Sequence, residues 1–134
     1  MAADNFSATF TFTYTPPNAP VNSGVASLAV SGTYQGGQAG SVDVPPGTTV
    51  GTVLSIPFGS VAAAKVLVIR NNMSSEVGIR LNGSGSNNFN IPAGGQIVYL
   101  VPTTPVAVPL TAASIITIVD PTAIERVNFW VFGD

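Results

Sequence analysis

The chain has 134 residues, the size of one ordinary domain, and contains neither Cys nor His. Four basic and six acidic residues make up 7% of it, against about 25% in ordinary domains, and leave a net charge of −2. These figures exclude a disulfide-stapled miniprotein, Ser-His-Asp or Cys-His catalysis, a zinc site of the usual ligands, and a basic field that could hold nucleic acid.

The charge deficit shapes the next expectation. A freestanding domain normally keeps a charged, mixed surface, whereas 46% of this chain is hydrophobic. Ser, Thr, Asn, Gln and Gly supply part of the missing polarity, and burial against neighbouring subunits supplies the rest. A membrane span needs about 20 consecutive apolar residues, and the longest apolar stretches are cut by Lys65, Arg70 or Asp120. Met1–Phe6 lacks the basic and apolar regions of a secretory signal. Neither membrane nor nucleic acid is expected as a partner.

In chain order, residues 6–15 alternate strictly. Phe6, Ala8, Phe10, Phe12 and Tyr14 fall on one face, and Ser7, Thr9, Thr11, Thr13 and Thr15 on the other. This period of two predicts a long strand, about 30 Å at roughly 3.3 Å per residue. Pro16, Pro17 and Pro20 stop it. A second strand is predicted from Gly24 to Tyr34, with Leu28, Val30 and Ala26 facing inward, followed by a Gly-rich turn over 35–40. Short apolar segments then recur at 41–44, 49–56, 64–70, 76–81, 87–91, 95–101, 106–110, 114–119 and 127–132. Only 62–65 and 122–125 could form a helical turn. Ten or eleven strands exceed what one open sheet holds without splitting. The expected fold is therefore all-β: a two-layer antiparallel β-sandwich, jelly-roll-like, as one domain over residues 1–134. Residues 1–20 could serve as an N-terminal arm or exchanged strand. The alternative is that the Phe row of 6–14 faces its own core.

Few residues could carry chemistry. A carboxylate pair is the remaining hydrolytic option, drawn from Asp4, Asp43, Glu76, Asp120, Glu125 and Asp134. Glu76 and Arg80 alternate with Val77, Ile79 and Leu81, which reads as a solvent face. Glu125-Arg126 reads as a charged turn before the last strand. The run Asn82–Asn88 offers oxygens but no carboxylate for calcium, and reads as an Asn-Gly hairpin turn between Leu81 and Phe89. The Gly-rich stretches 36–40 and 94–95 lack the Lys-Ser/Thr that a phosphate loop needs. Asn5, Asn72 and Asn82 head Asn-x-Ser sequons. Trp130, with Tyr34 and Tyr99 behind it, is the candidate for sugar stacking. Trp130 sits in Phe129-Trp-Val-Phe132, apolar on both faces, which favours core or interface. No enzyme activity and no cofactor are expected. The candidate interface residues are Phe6, Phe10, Phe12, Tyr14 and Trp130.

Residues 50–134 carry a resemblance in pattern. Ile56-Pro-Phe-Gly-Ser60, Val66-Leu-Val-Ile-Arg-Asn-Asn72, Val77-Gly-Ile-Arg-Leu-Asn-Gly-Ser84, Phe89-Asn-Ile-Pro-Ala-Gly-Gly95 and Asn128-Phe-Trp-Val-Phe-Gly-Asp134 together resemble small virion proteins of tailed bacteriophages. Capsid decoration (cement) proteins and head-tail accessory proteins are the nearest in kind. The resemblance implies a jelly-roll-like sandwich, a homotrimer, that bridges capsid or other virion proteins. It also implies a place in the virion, after synthesis in the bacterial host cytoplasm, and no catalytic residues. The alternative is a receptor- or glycan-binding module of a phage tail or fibre.

Overall fold

The computed structural model describes residues 3–14, 24–101 and 107–134. Ten strands and no helix lie among them: β1 Asp4–Tyr14, β2 Gly24–Tyr34, β3 Gly36–Val44, β4 Val53–Ile56, β5 Ala64–Asn71, β6 Val77–Leu81, β7 Phe89–Ile91, β8 Gln96–Leu100, β9 Ala113–Thr117 and β10 Glu125–Gly133. The segments 62–65 and 122–125, the only ones that could have formed a helical turn, do not form one. All strand pairs are antiparallel. They build a sheet β3-β10-β5-β8, a second sheet β4-β9-β6-β7, and a two-stranded ribbon β1-β2.

The two four-stranded sheets form a β-sandwich. Val44, Leu67, Ile69, Val127, Phe129 and Val131 come from the inner face of the first sheet; Ile56, Val77, Ile79, Ile91, Ala113 and Ile115 come from the second. On β10 the odd-numbered residues 127–133 are buried and the even ones are not, so period-two alternation alone sorts this strand into an inner and an outer face. Among the described residues Phe129 is the one fully buried aromatic of the core cluster. Six of the seven connections from β3 to β10 cross between sheets; only β6–β7 stays within one.

Two buried polar side chains fix the loops at the sandwich ends. Asn71 Nδ2 donates to the carbonyls of Ser75 (2.8 Å), Ile91 (2.9 Å) and Pro92 (3.2 Å), and its Oδ1 accepts from the Met73 amide at 2.9 Å. Thr117 donates to the Thr49 carbonyl at 2.6 Å and accepts from the Thr52 amide at 3.1 Å. Both satisfy backbone groups that a dry end would otherwise leave unpaired.

Several expectations are corrected. Residues 36–40 are strand, not turn, after a bend at Gln35, and Gly36 and Gly37 are there for close approach. A Cβ on Gly37 would lie 2.3 Å from the Phe132 ring, and one on Gly36 would lie 2.6 Å from Ser60 Oγ. Residues 107–110 form no strand and make one bridge, Leu110 to Ala64. Strand 49–56 shortens to Val53–Ile56, because Gly51 at φ 85° and the Thr52 amide on the Thr49 carbonyl close a turn. The Asn-Gly turn forms as expected: Asn82 and Gly83 both have positive φ, 52° and 70°, and the Ser84 amide reaches the Leu81 carbonyl at 3.0 Å. The largest correction concerns β2, which was expected to point Val30 inward. None of the described side chains of β1 or β2 belongs to the core cluster. The two strands pair with each other in a sheet of their own, apart from the two sandwich sheets.

Candidate assembly surface

The β1-β2 ribbon is a regular eleven-pair ladder from Asp4↔Tyr34 to Tyr14↔Gly24. At roughly 3.3 Å per residue it is about 36 Å long. Its register places Phe6 opposite Gly32, Ala8 opposite Val30, Phe10 opposite Leu28, and Phe12 opposite Ala26, all on one face. The other face carries Asn5 with Thr33, Ser7 with Ser31, Thr9 with Ala29, and Thr11 with Ser27. Asn5, Ser7, Thr9, Thr11, Ala29, Ser31 and Thr33 are exposed, while Phe6, Ala8, Val30, Gly32 and Tyr34 are half-buried. For Phe10, Phe12 and Tyr14 only the backbone is described. The proline-rich stretch 16–21, which could instead be a hinge that releases the first strand as an arm, lies outside the described residues.

Three contacts hold the ribbon's root to the sandwich. The Gln35 amide donates to the Gly133 carbonyl at 2.9 Å. The Tyr34 ring packs on Phe132, with centroids 5.0 Å apart and planes tilted by 54°. Lys65, buried at the start of β5, donates from Nζ to the Thr33 carbonyl at 2.7 Å and to Asp134 Oδ1 at 2.9 Å. Lys65 shares its parity with the core residues Leu67 and Ile69. A cation on the inward side of an apolar strand has to find such partners, and that parity is legible in the sequence, though its partners are not.

The Tyr34–Phe132 contact joins two apolar surfaces. The chain bends at Gln35, so that Tyr34, from the apolar face of the ribbon, meets Phe132, an outer-face residue of β10. Cross-strand register extends this outer face as two apolar rows: Gly37, Phe132, Val66, Leu100, and then Ala39, Trp130, Val68, Val98. A polar row of Ser41, Asn128, Arg70 and Gln96 bounds them. Trp130 and Val98 are 37% and 38% exposed. Of the sequence-derived interface residues, the structure thus sets Phe6, Phe10, Phe12 and Tyr14 on one ribbon face and Trp130 on the sheet face that continues it.

The carboxylates considered for hydrolysis are scattered. Asp43 pairs with Arg126 at 3.0 Å on the surface, Glu125 accepts from the Ser74 amide at 2.9 Å and from its hydroxyl, and Asp134 serves Lys65. Among the described residues no three acidic side chains group as metal ligands. Of the sugar-stacking candidates, Tyr34 is engaged by Phe132. Tyr99 is half-buried and lines an apolar cavity of about 290 Å³ with Leu67, Leu81, Phe89, Ile97 and Val98. An amide-rich shelf went unforeseen: Asn87, folded over Gly78, accepts from Arg80 Nε at 3.1 Å and donates to Asn90 at 3.2 Å, beside the half-exposed Phe89.

No family model, curated protein or solved structure matches this chain. No helix among the described residues is long and apolar enough to cross a membrane.

Proposed function

We propose that the chain is a non-catalytic structural subunit of a tailed-phage particle, a decoration or cement protein that bridges shell proteins by contact. The observation that carries this reading is the ribbon: 22 residues form eleven backbone pairs in a sheet apart from the two sandwich sheets, and none of its described side chains belongs to the core cluster. A two-stranded ribbon alone is marginal in water. A chain that keeps one, with an apolar face, gains most when something covers it. The scarcity of charge supports the same reading, since interface cores are depleted in charged residues. The strand order supports a jelly roll: eight strands in two sheets, first beside last, with nearly every connection crossing between sheets.

Antibody labelling of phage particles, viewed by negative-stain electron microscopy, tests this function. The expected result is a repeated array over the head. Label confined to tail-fibre tips, or found only on free protein, would overturn the shell assignment. A second reading, glycan binding by a tail module, has one observation in its favour: the Arg80, Asn87 and Asn90 shelf beside Phe89. Tip labelling together with glycan binding lost in Asn87→Ala would establish it.

A further inference from the structure

The first sheet ends in a bare edge. β8 pairs with β5 on one side and with no described strand on the other. The Val101 amide donates to the Lys65 carbonyl and the Asn71 amide to the Gly95 carbonyl, both at 2.8 Å. Backbone groups alternate sides along an antiparallel strand, so Ile97 and Tyr99 turn theirs toward β5. The amides and carbonyls of Gln96, Val98 and Leu100 therefore face outward. Proteins blunt such edges with charge, proline, bulges or very short strands. The other sandwich edges follow that practice: β4 and β7 have four and three residues, and β3 carries Asp43 among its glycines. β8 has no charge, no proline and no shift in its register. Beside it lies the apolar cavity of about 290 Å³, lined by Ile97 and Tyr99 from one sheet and by Leu81 and Phe89 from the other. Phe89 shares the parity of the buried Ile91, yet it is 49% exposed, because no further strand closes this side of the sandwich.

We infer that β8 pairs antiparallel with the β8 of a second copy of this chain, about a two-fold axis through Val98. The symmetry of the strand names this occupant. Its outward groups belong to residues 96, 98 and 100, evenly placed about Val98, so the edge is complementary to itself. Val98 meets Val98 of the second copy on the axis, and Gln96 meets Leu100 on either side, each pair exchanging two backbone hydrogen bonds. Between these levels Ile97 of each copy stands opposite Tyr99 of the other. Those are the close, non-hydrogen-bonded positions, where an aromatic and a β-branched side chain reinforce each other. Both pairs fall on the inner face, beside the cavity of each copy. No like charges meet, because β8 carries none. On the outer face the row Ala39, Trp130, Val68, Val98 runs on into the same row of the second copy. The contact is isologous and closes at two copies.

This inference goes beyond the shell reading and does not rest on the ribbon. The test uses the full chain at about 100 µM, which populates an interface of ~10 µM affinity or better. Light scattering coupled to size exclusion is expected to give twice the 13.6 kDa chain mass. Val98→Pro removes the amide on the axis, one that β5 does not use, and proline is tolerated at such an edge position. It is expected to run as a single chain with an unchanged β-sheet circular dichroism spectrum. Val98→Lys, which guards against a proline that disturbs β8, is expected to do the same. Val53→Lys, at an exposed position of the edge strand β4, is expected to keep the dimer mass. Amide hydrogen exchange at Gln96 and Leu100 is expected to be at least tenfold slower in wild type than in Val98→Lys. A wild-type monomer or trimer, equal exchange at those two amides, or a Val98→Lys variant that stays dimeric overturns the inference. Particle labelling is read separately: a dimer without head labelling leaves the strand pair standing and removes the phage assignment, while head labelling by a monomer does the reverse.

Discussion

Lys65→Met tests how the ribbon is attached. Methionine keeps the apolar stem and its packing and removes the ammonium that holds the Thr33 carbonyl and Asp134. A hydrogen bond from a charged donor contributes about 1.5–3 kcal/mol. The ion pair adds less, ~0–1 kcal/mol, because the Asp134 side chain is 33% exposed and keeps part of its hydration while Lys65 is 7% exposed. Relief of the buried cation's desolvation offsets some of the loss, leaving a net cost of about 2 kcal/mol. For a chain of this length that corresponds to a fall in Tm of roughly 6–10 °C. Calorimetry reads the total, and amide hydrogen exchange reads its location: Tyr34 and Gln35 should exchange faster, while the β5–β10 ladder stays protected. Arg126→Ala serves as control. It breaks a 3.0 Å pair whose side chains are 62% and 58% exposed, and should move Tm by less than about 3 °C. Unchanged exchange at the ribbon root in Lys65→Met would refute the clamp, even if Tm fell.

Phe129→Ala removes the fully buried aromatic of the core cluster, packed beneath Gly40. It should cost about 3–5 kcal/mol in urea denaturation, and a loss below ~1 kcal/mol would mean that the two sheets collapse into the gap. Asn71→Asp turns an amide that feeds three carbonyls into an acceptor facing them. It should cost more than about 3 kcal/mol, with Asn71→Ala nearer 1–3 kcal/mol; a urea midpoint equal to wild type in Asn71→Asp would refute the assigned geometry.

The strands were legible because a two-residue period is written directly in residues such as Val127, Phe129 and Val131. What alternation cannot tell is which body an apolar face packs on. Phe6 to Tyr14 show the same pattern whether they line a core or a ribbon, so the sequence left both open. Gly36 and Gly37 misled for a related reason. Glycine reads as a turn residue, yet here it makes room for Ser60 and for the Phe132 ring, both distant in the chain. The apolar continuity from ribbon to sheet was not legible at all, since it depends on a bend at Gln35 that joins Tyr34 to Phe132. Lys65 was noted in the sequence only for interrupting an apolar stretch; its shared parity with Leu67 and Ile69 went unread, and the carbonyl it holds is not written there.

The ribbon and the sandwich share one unbroken length of chain, for β2 leads through the bend at Gln35 directly into β3. β3 in turn lies along β10 over nine paired residues, Gly36↔Gly133 to Val44↔Glu125. Tension applied to the ribbon along that direction loads the β3–β10 ladder in shear. Its hydrogen bonds then share the force and yield together, instead of opening one after another as in a peel. A subunit tethered through this arm would resist being pulled off its neighbours with the strength of a whole strand pair. The weak point under load would then be whatever contact the ribbon makes, where rupture would leave the fold intact.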